Sequence, residues 1–280
     1  MSNIIQGFCL VAIIGTAYLL FRFFPRKIKV IDIVLVALFT VLKMVLQILS
    51  LNIPLFGFPS LRIGISQLPL MVGGMVLGPA LGFVLGLVVD VVGLLISPTE
   101  FPFLGFTLGN ILMAVLPALV KEFAKQRSDE QRKPIKLLYG LLIMIWLINF
   151  VALWLTKDIR FTADVTVELD LYKRLILLGI VSFFLLIIVI VYKLIIKKLK
   201  VTDRPYEVWF SGVIIAKLVV NVILTSYWLE VMYGIPFFAS SAIRILNMTI
   251  LVNVEGFLGY LLLVLLDRII GKRTDSSLAP

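Results

Sequence analysis

Long apolar runs without charge constrain this chain more than any other feature. A helix needs about 20 mostly apolar residues to cross the hydrocarbon layer of a bilayer. Met1–Phe21, Phe101–Val120, Leu137–Thr156 and Leu175–Tyr192 reach or approach that length with no Asp, Glu, Lys or Arg. Ile63–Val89 exceeds one span, and Gly78-Pro79 within it is a turn signal that divides it into two helices. Ile28–Ser50, Tyr206–Leu229 and Ala242–Leu266 are equally long but carry internal charges. The expectation is an all-α polytopic membrane protein of about nine transmembrane helices. Composition agrees, with 61% apolar and 15% charged residues against ~45–50% and ~25% in soluble domains.

What is missing narrows the chemistry. There is no histidine, which removes Ser-His triads, His-metal sites and His proton relays. Cys9 is the single cysteine, so intramolecular disulfides and iron–sulfur clusters are excluded. No metal site, cofactor motif or phosphate-binding G-x-x-x-x-G-K-[ST] loop is present in the sequence.

The net charge of +10 reads as topology rather than as nucleic-acid binding. Lys and Arg concentrate in cytoplasmic loops. With the N-terminus outside and the C-terminus inside, 18 of the 26 basic residues fall on the cytoplasmic side. Met1–Phe21 has no basic segment ahead of it, and its cations follow it, so it reads as a membrane helix rather than a secretory signal. The basic run Lys193–Lys200 can also lie on anionic lipid headgroups. Gly74, Gly78, Gly82 and Gly86 recur every four residues, a small-residue spacing that lets helix backbones approach closely. The expectation is a tight helical hairpin around Pro79.

Charges within spans cost at least ~2.5–3.5 kcal/mol each and ask for a reason. Lys217 and Glu255 both fall near mid-membrane and are placed to pair. The pair is either a salt bridge between two helices or the floor of a pocket. Asp90 makes either a ligand contact or a structural hydrogen bond. Lys43 either faces a ligand or snorkels. Asn110 is a mid-span amide, suited to helix–helix contact or ligand contact. Lys217, Asn221, Thr225 and Trp228 fall on one face at α-helical phase, and Arg244 and Glu255 share a face of the last helix, with Asn247 about 60° from Arg244. Arg244, Arg62, Trp228 and Tyr233 then converge toward the outer surface. Two Arg donors and two aromatic rings suit a planar, partly anionic molecule. The alternative for these four is an interfacial belt of aromatics and snorkelling Arg.

Four pieces occur in order: Arg62-Ile-Gly-Ile-Ser-Gln-Leu-Pro69, Gly74-Met-Val-Leu-Gly-Pro79, Gly86-Leu-Val-Val-Asp90-Val-Val-Gly93 and Gly105-Phe-Thr-Leu108. Together they resemble the substrate-binding S components of energy-coupling-factor (ECF) vitamin transporters. Leu224-Thr-Ser-Tyr-Trp228-Leu-Glu-Val-Met-Tyr233-Gly234-Ile-Pro-Phe237, followed by Arg244, resembles the folate-type branch. The resemblance implies a six-helix core that binds a vitamin from outside. Its expected partners are a transmembrane coupling protein, two cytoplasmic ATPases, the small-molecule substrate and membrane lipids, with no nucleic acid. It places Asp90, Trp228, Tyr233 and Arg244 on motif positions near the pocket, with Leu51–Leu61 and Ser97–Phe103 as lids. Asn247 stands where the folate-type pattern has Lys, and Ala37 is followed by Val41 where a small-residue pair is the rule.

The division that follows is 1–27, an extra N-terminal helix; 28–122, core helices one to four; 123–204, an inserted helical pair with basic flanks; 205–270, core helices five and six; and 271–280, a disordered tail. The expected function is the substrate-binding subunit of an ATP-driven importer in a bacterial plasma membrane, with no enzymatic activity of its own. The alternatives are a proton-coupled secondary transporter using Asp90, Lys217 and Glu255, and a membrane scaffold or enzyme for lipid or cell-wall precursors.

Overall fold

The computed structural model describes residues 2–55, 58–96, 102–125, 134–155, 158–160, 166–168, 170–199, 203–233 and 237–276. The framework is helical. Helices α1 (Ser2–Phe23) and α2 (Val30–Ile48) are followed by a short hairpin of β1 (Leu51–Leu55) and β2 (Phe58–Ile63). Next come α3 (Leu68–Leu77), α4 (Pro79–Ile96) and α5 (Leu104–Lys125). Helices α6 (Pro134–Leu155) and α7 (Leu171–Leu199) flank a second small hairpin, β3 (Asp158–Arg160) with β4 (Thr166–Glu168). Helix α8 (Asp203–Lys217) passes through a π-helical segment, Leu218–Leu224, into α9 (Thr225–Tyr233). Helix α10 (Phe237–Ser276) closes the chain and continues past the boundary expected at residue 270.

Among the described residues, six stretches are long and apolar enough to cross a membrane: Ile4–Phe23, Val30–Ile48, Pro79–Ile96, Leu104–Lys125, Tyr206–Met232 and Asn247–Arg268. Large apolar side chains such as Ile4, Val30, Ile33 and Leu95 are exposed along them. Hydrocarbon rather than water suits such a surface.

The break at Gly78-Pro79 has a local cause. Gly78 has φ +87°, a conformation that costs glycine nothing because it has no Cβ. Pro79 opens α4, where its missing N–H and fixed φ fit the first turn. Helix α3 has ten residues, which is about 15 Å at 1.5 Å per residue. It is therefore too short to cross a bilayer alone, contrary to the expectation of two full spans. All of its residues except Val76 are buried. Its C-terminal carbonyls are held by cations from neighbouring elements. Lys121 Nζ donates to the Met75 carbonyl (2.7 Å) and Arg26 Nη1 donates to the Leu77 carbonyl. Arg26 is in turn fixed by Asp32 (2.8 Å), which is 2% exposed. Positive charge there satisfies orphan acceptors and opposes the negative end of the helix dipole.

The glycine stripe serves three helices rather than two. A Cβ built on Gly74 would overlap the Ala114 carbonyl, and one on Gly86 would overlap the Ile111 backbone. Helices α3 and α4 thus lie against α5 at backbone contact, and Gly82 sits between Gly74 and Ala114. Helix α1 packs on the outside of this group, where Ile13 and Leu20 join Phe83, Leu108, Ile111 and Val115. On the other flank Tyr206, Trp209 and Phe210 of α8 are buried, and Trp209 Nε1 donates to the Gly256 carbonyl of α10 (2.8 Å).

Gly74→Val is expected to destabilise the protein by about 1–3 kcal/mol through overpacking, read as a lowered melting temperature in detergent. Gly15→Val, at a position with nothing within 4 Å of an added Cβ, is expected to leave the melting temperature unchanged.

Candidate functional site

Helices α2, α3, α5 and α10 and the π-helical segment surround a cavity of about 450 Å³. Its wall includes Lys43 and Gln47 from α2, and Ser66 and Gln67 at the start of α3. Phe106 and Asn110 come from α5, Asn221 from the π-helical segment, Thr225 from the start of α9, and Arg244 and Asn247 from α10. Gly64, Gly105, Gly109, Val220 and Leu251 complete it. The size falls in the usual range for small-molecule sites, ~300–1,000 Å³. Among the described residues the wall holds two cations, five carboxamides, two hydroxyls and one aromatic ring, and no carboxylate.

The floor is an ordered polar cluster. Gln67 Nε2 donates to Asn221 Oδ1 and Asn221 Nδ2 donates to Gln67 Oε1, both at 3.0 Å. Lys217 Nζ approaches Gln67 Oε1 at 3.5 Å and pairs with Glu255 Oε2 at 2.6 Å. Lys217 and Glu255 are 1% and 0% exposed. Neither lines the cavity, so the pair lies behind the amides and joins the α8 end to α10. The π-helical segment starts immediately after Lys217. The Thr225 N–H and hydroxyl both donate to the Val220 carbonyl, five residues back.

The walls are equally specific. Asp90 of α4 accepts from Thr107 Oγ1 (2.7 Å) and from Asn110 Nδ2 (2.8 Å). Asp90 therefore stands behind Asn110 rather than on the cavity wall. Lys43 donates to Gln47, one turn on. Arg244 Nε donates to Ser240 Oγ at 3.3 Å, and among the described residues its guanidinium forms no ion pair. Asn247 Oδ1 is buried with no hydrogen-bond partner.

Of the residues singled out from sequence, Lys43, Asn110, Arg244 and Asn247 line the cavity together. Trp228 does not. It is 3% exposed and its ring packs edge-on against Phe103 (centroids 5.3 Å apart), beside the fully buried Cys9 of α1. Trp228 follows Thr225 of the cavity wall by three residues of α9, which turns it about 60° from Thr225. The side chains of Arg62 and Tyr233, and residues 97–101 of the expected lid Ser97–Phe103, lie outside the described residues. The other expected lid, Leu51–Leu61, contains β1 and most of β2, paired antiparallel with Asn52 opposite Arg62.

Gln47, Gln67 and Phe106 were not recognised as site residues from sequence. Gln47 follows Lys43 by one helical turn, and Phe106 precedes Asn110 by one turn. Helical phase relative to a charged or amide residue is therefore the signal that could have found them.

These helices and this polar cavity define a multi-pass membrane protein with a pocket of small-molecule size between its helices. The model of the family described as ECF transporter, substrate-specific component, matches residues 31–196. The chain belongs to that family. The match begins in α2, spans α3 to α6 and ends in α7, so it crosses the pair expected to be an insertion. Comparison with curated proteins and with solved structures returned no match.

Lys217→Met leaves Glu255 without its cation and is expected to destabilise the protein by ~3–5 kcal/mol. The double variant Lys217→Met with Glu255→Leu is expected to recover most of that loss, measured as thermal unfolding in detergent. Equal losses in the single and double variants would contradict the pairing.

Proposed function

We propose that this chain is the ligand-capturing membrane subunit of an ATP-driven ECF-type importer for an anionic vitamin or related small heterocyclic nutrient. A folate-like compound is the nearest fit. The observation that carries this reading is Arg244. It lines a cavity that has a second cation, Lys43, and, among the described residues, no carboxylate. A cation without a counter-charge inside a membrane protein is costly, and a ligand carboxylate supplies the charge with bidentate geometry. Phe106 offers a ring face or edge to a planar heterocycle.

The distribution of Lys and Arg supports an N-terminus outside and a C-terminus inside, in a bacterial plasma membrane. In that orientation the α10 end bearing Arg244 is directed outward. The sequence has no phosphate-binding loop, so energy comes from partners, a transmembrane coupling protein and two cytoplasmic ATPases. A proton-coupled mechanism fits less well. Lys217 and Glu255 neutralise each other at almost zero exposure, and Asp90 is already held by Thr107 and Asn110.

Arg244→Ala is expected to weaken binding of folic acid to the purified protein by about a hundredfold or more, as truncating one partner of a buried charge pair does, with little change in melting temperature. Unchanged affinity would remove Arg244 from the site. Mass spectrometry of small molecules retained by the purified protein tests the ligand class directly. The chain alone in liposomes is expected not to accumulate ligand, and to do so once the coupling protein and ATPases are added with ATP.

A further inference from the structure

Helix α1 precedes the residues matched to the family model, yet it holds one corner of the cavity. The carboxamide of Gln6 makes two bonds to residues 96 and 98 positions further along the chain. Its Nε2 donates to the Pro102 carbonyl (3.3 Å) and its Oε1 accepts from the Leu104 N–H (3.1 Å). These belong to the two peptide groups on either side of Phe103, so one side chain clasps the backbone of that residue from both ends. A carboxamide has the donor and the acceptor that this needs, and the Leu104 N–H is an orphan donor of the helix start. Phe103 in turn organises the cavity wall. Its carbonyl accepts from the Phe106 N–H (3.0 Å) and so opens α5. Its ring is 7% exposed and packs edge-on against two others, Phe106 at 5.6 Å and Trp228 at 5.3 Å between centroids. Among the described residues Phe106 is the aromatic side chain of the cavity wall, and its neighbour Gly105 lines the cavity as well. A Cβ on Gly105 would strike both the Phe103 and the Trp228 ring, so these two rings lie directly behind the wall.

We propose that Gln6 is a positioning residue for ligand binding, which acts through Phe103 to hold Phe106 and the first turn of α5 in the ligand-retaining geometry. This rests on the reading of the cavity as the ligand site and adds α1 to that site. A ring on a mobile backbone must be ordered when ligand binds, and fixing the backbone beneath it removes part of that cost. Losing the clasp therefore shows as faster escape of ligand more than as slower entry. It also loosens the packing over Cys9, which is fully buried beside the rings of Phe103 and Trp228. Cys9 is the single cysteine of the chain, so its alkylation reports on this corner alone.

The test uses the full-length protein in detergent and two measurements. One is the rate of Cys9 alkylation by N-ethylmaleimide, which needs no ligand. The other is the pair of association and dissociation rates of folic acid. Gln6→Leu nearly keeps the size of the side chain and removes both bonds. It is expected to speed Cys9 alkylation and folic acid dissociation by about tenfold each, in line with two lost hydrogen bonds. The association rate is expected to change by less than about threefold. Phe103→Leu keeps an apolar residue and removes both ring contacts. Because Gln6 acts through Phe103, the double variant is expected to release folic acid no more than about threefold faster than the faster single variant. Multiplied effects in the double variant, the mark of two independent structural losses, would overturn the positioning role. Unchanged Cys9 alkylation in Gln6→Leu would overturn the clasp. Faster alkylation with unchanged folic acid dissociation would overturn its link to the ligand. Failure of folic acid to bind the unaltered protein would overturn the folate reading by itself, and the same double-variant comparison made on Cys9 alkylation then decides whether Gln6 acts through Phe103.

Discussion

Charge compensation within a low-dielectric interior is the constraint on which the site depends. A lone Lys or Glu inside hydrocarbon costs several kcal/mol, and Lys217 and Glu255 remove that cost by pairing at 2.6 Å. The pair also has a geometric effect. Lys217 sits at the junction of α8 and the π-helical segment and Glu255 lies on α10, so the bond fixes these elements relative to each other. Gln67, 3.5 Å from Lys217 Nζ, and its partner Asn221 then form a floor whose hydrogen bonds connect α3 to the π-helical segment. Each layer satisfies the one behind it, from ion pair to amide pair to cavity. The same logic places Asp90 behind Asn110. At Arg244 no such layer is found among the described residues.

The second constraint is backbone proximity. Helix α3 is too short to span a membrane and carries the floor residue Gln67 just before its first turn. Its depth is set at its C-terminal end, where Lys121 and Arg26 hold its last carbonyls. Its lateral position is set where Gly74 meets the Ala114 backbone. A larger residue at Gly74 would push α3 away from α5, and Gln67 would move relative to Asn110. Packing of small residues far from the ligand thus determines the shape of the cavity.

This also explains what could be read from the sequence. Spans were legible because a bilayer demands long apolar runs, and the division at Gly78-Pro79 because glycine and proline have distinct backbone geometry. Lys43, Asn110, Arg244 and Asn247 were legible because a polar residue stands out against an apolar helix. Gln67 was not, because it lies just outside a helix in a stretch where polar residues are ordinary. Trp228 was misplaced because it stands about 60° from Thr225 on α9, and that turn carries it from the cavity wall to the Phe103 ring. Asp32, in the first turn of α2, is buried against Arg26. Its partner lies six residues earlier on a loop, at no helical spacing.

The helices outside the expected core are integrated with it to different degrees. Gln6 of α1 donates to the Pro102 carbonyl (3.3 Å) and accepts from the Leu104 N–H (3.1 Å). One side chain of the first helix therefore satisfies an orphan donor at the start of α5, next to Gly105 and Phe106 of the cavity. Cys9 joins Phe103 and Trp228 one turn deeper. Helix α1 thus braces the segment that leads into the site. Helices α6 and α7 have a different relation to it. Helix α6 touches α8 and α10, and α7 touches α10, while Trp146, Phe150, Trp154 and Phe183 remain exposed. None of their described residues lies on the cavity wall, yet the family match runs across both helices. These contacts fall on α8 and α10, the two elements joined by Lys217 and Glu255.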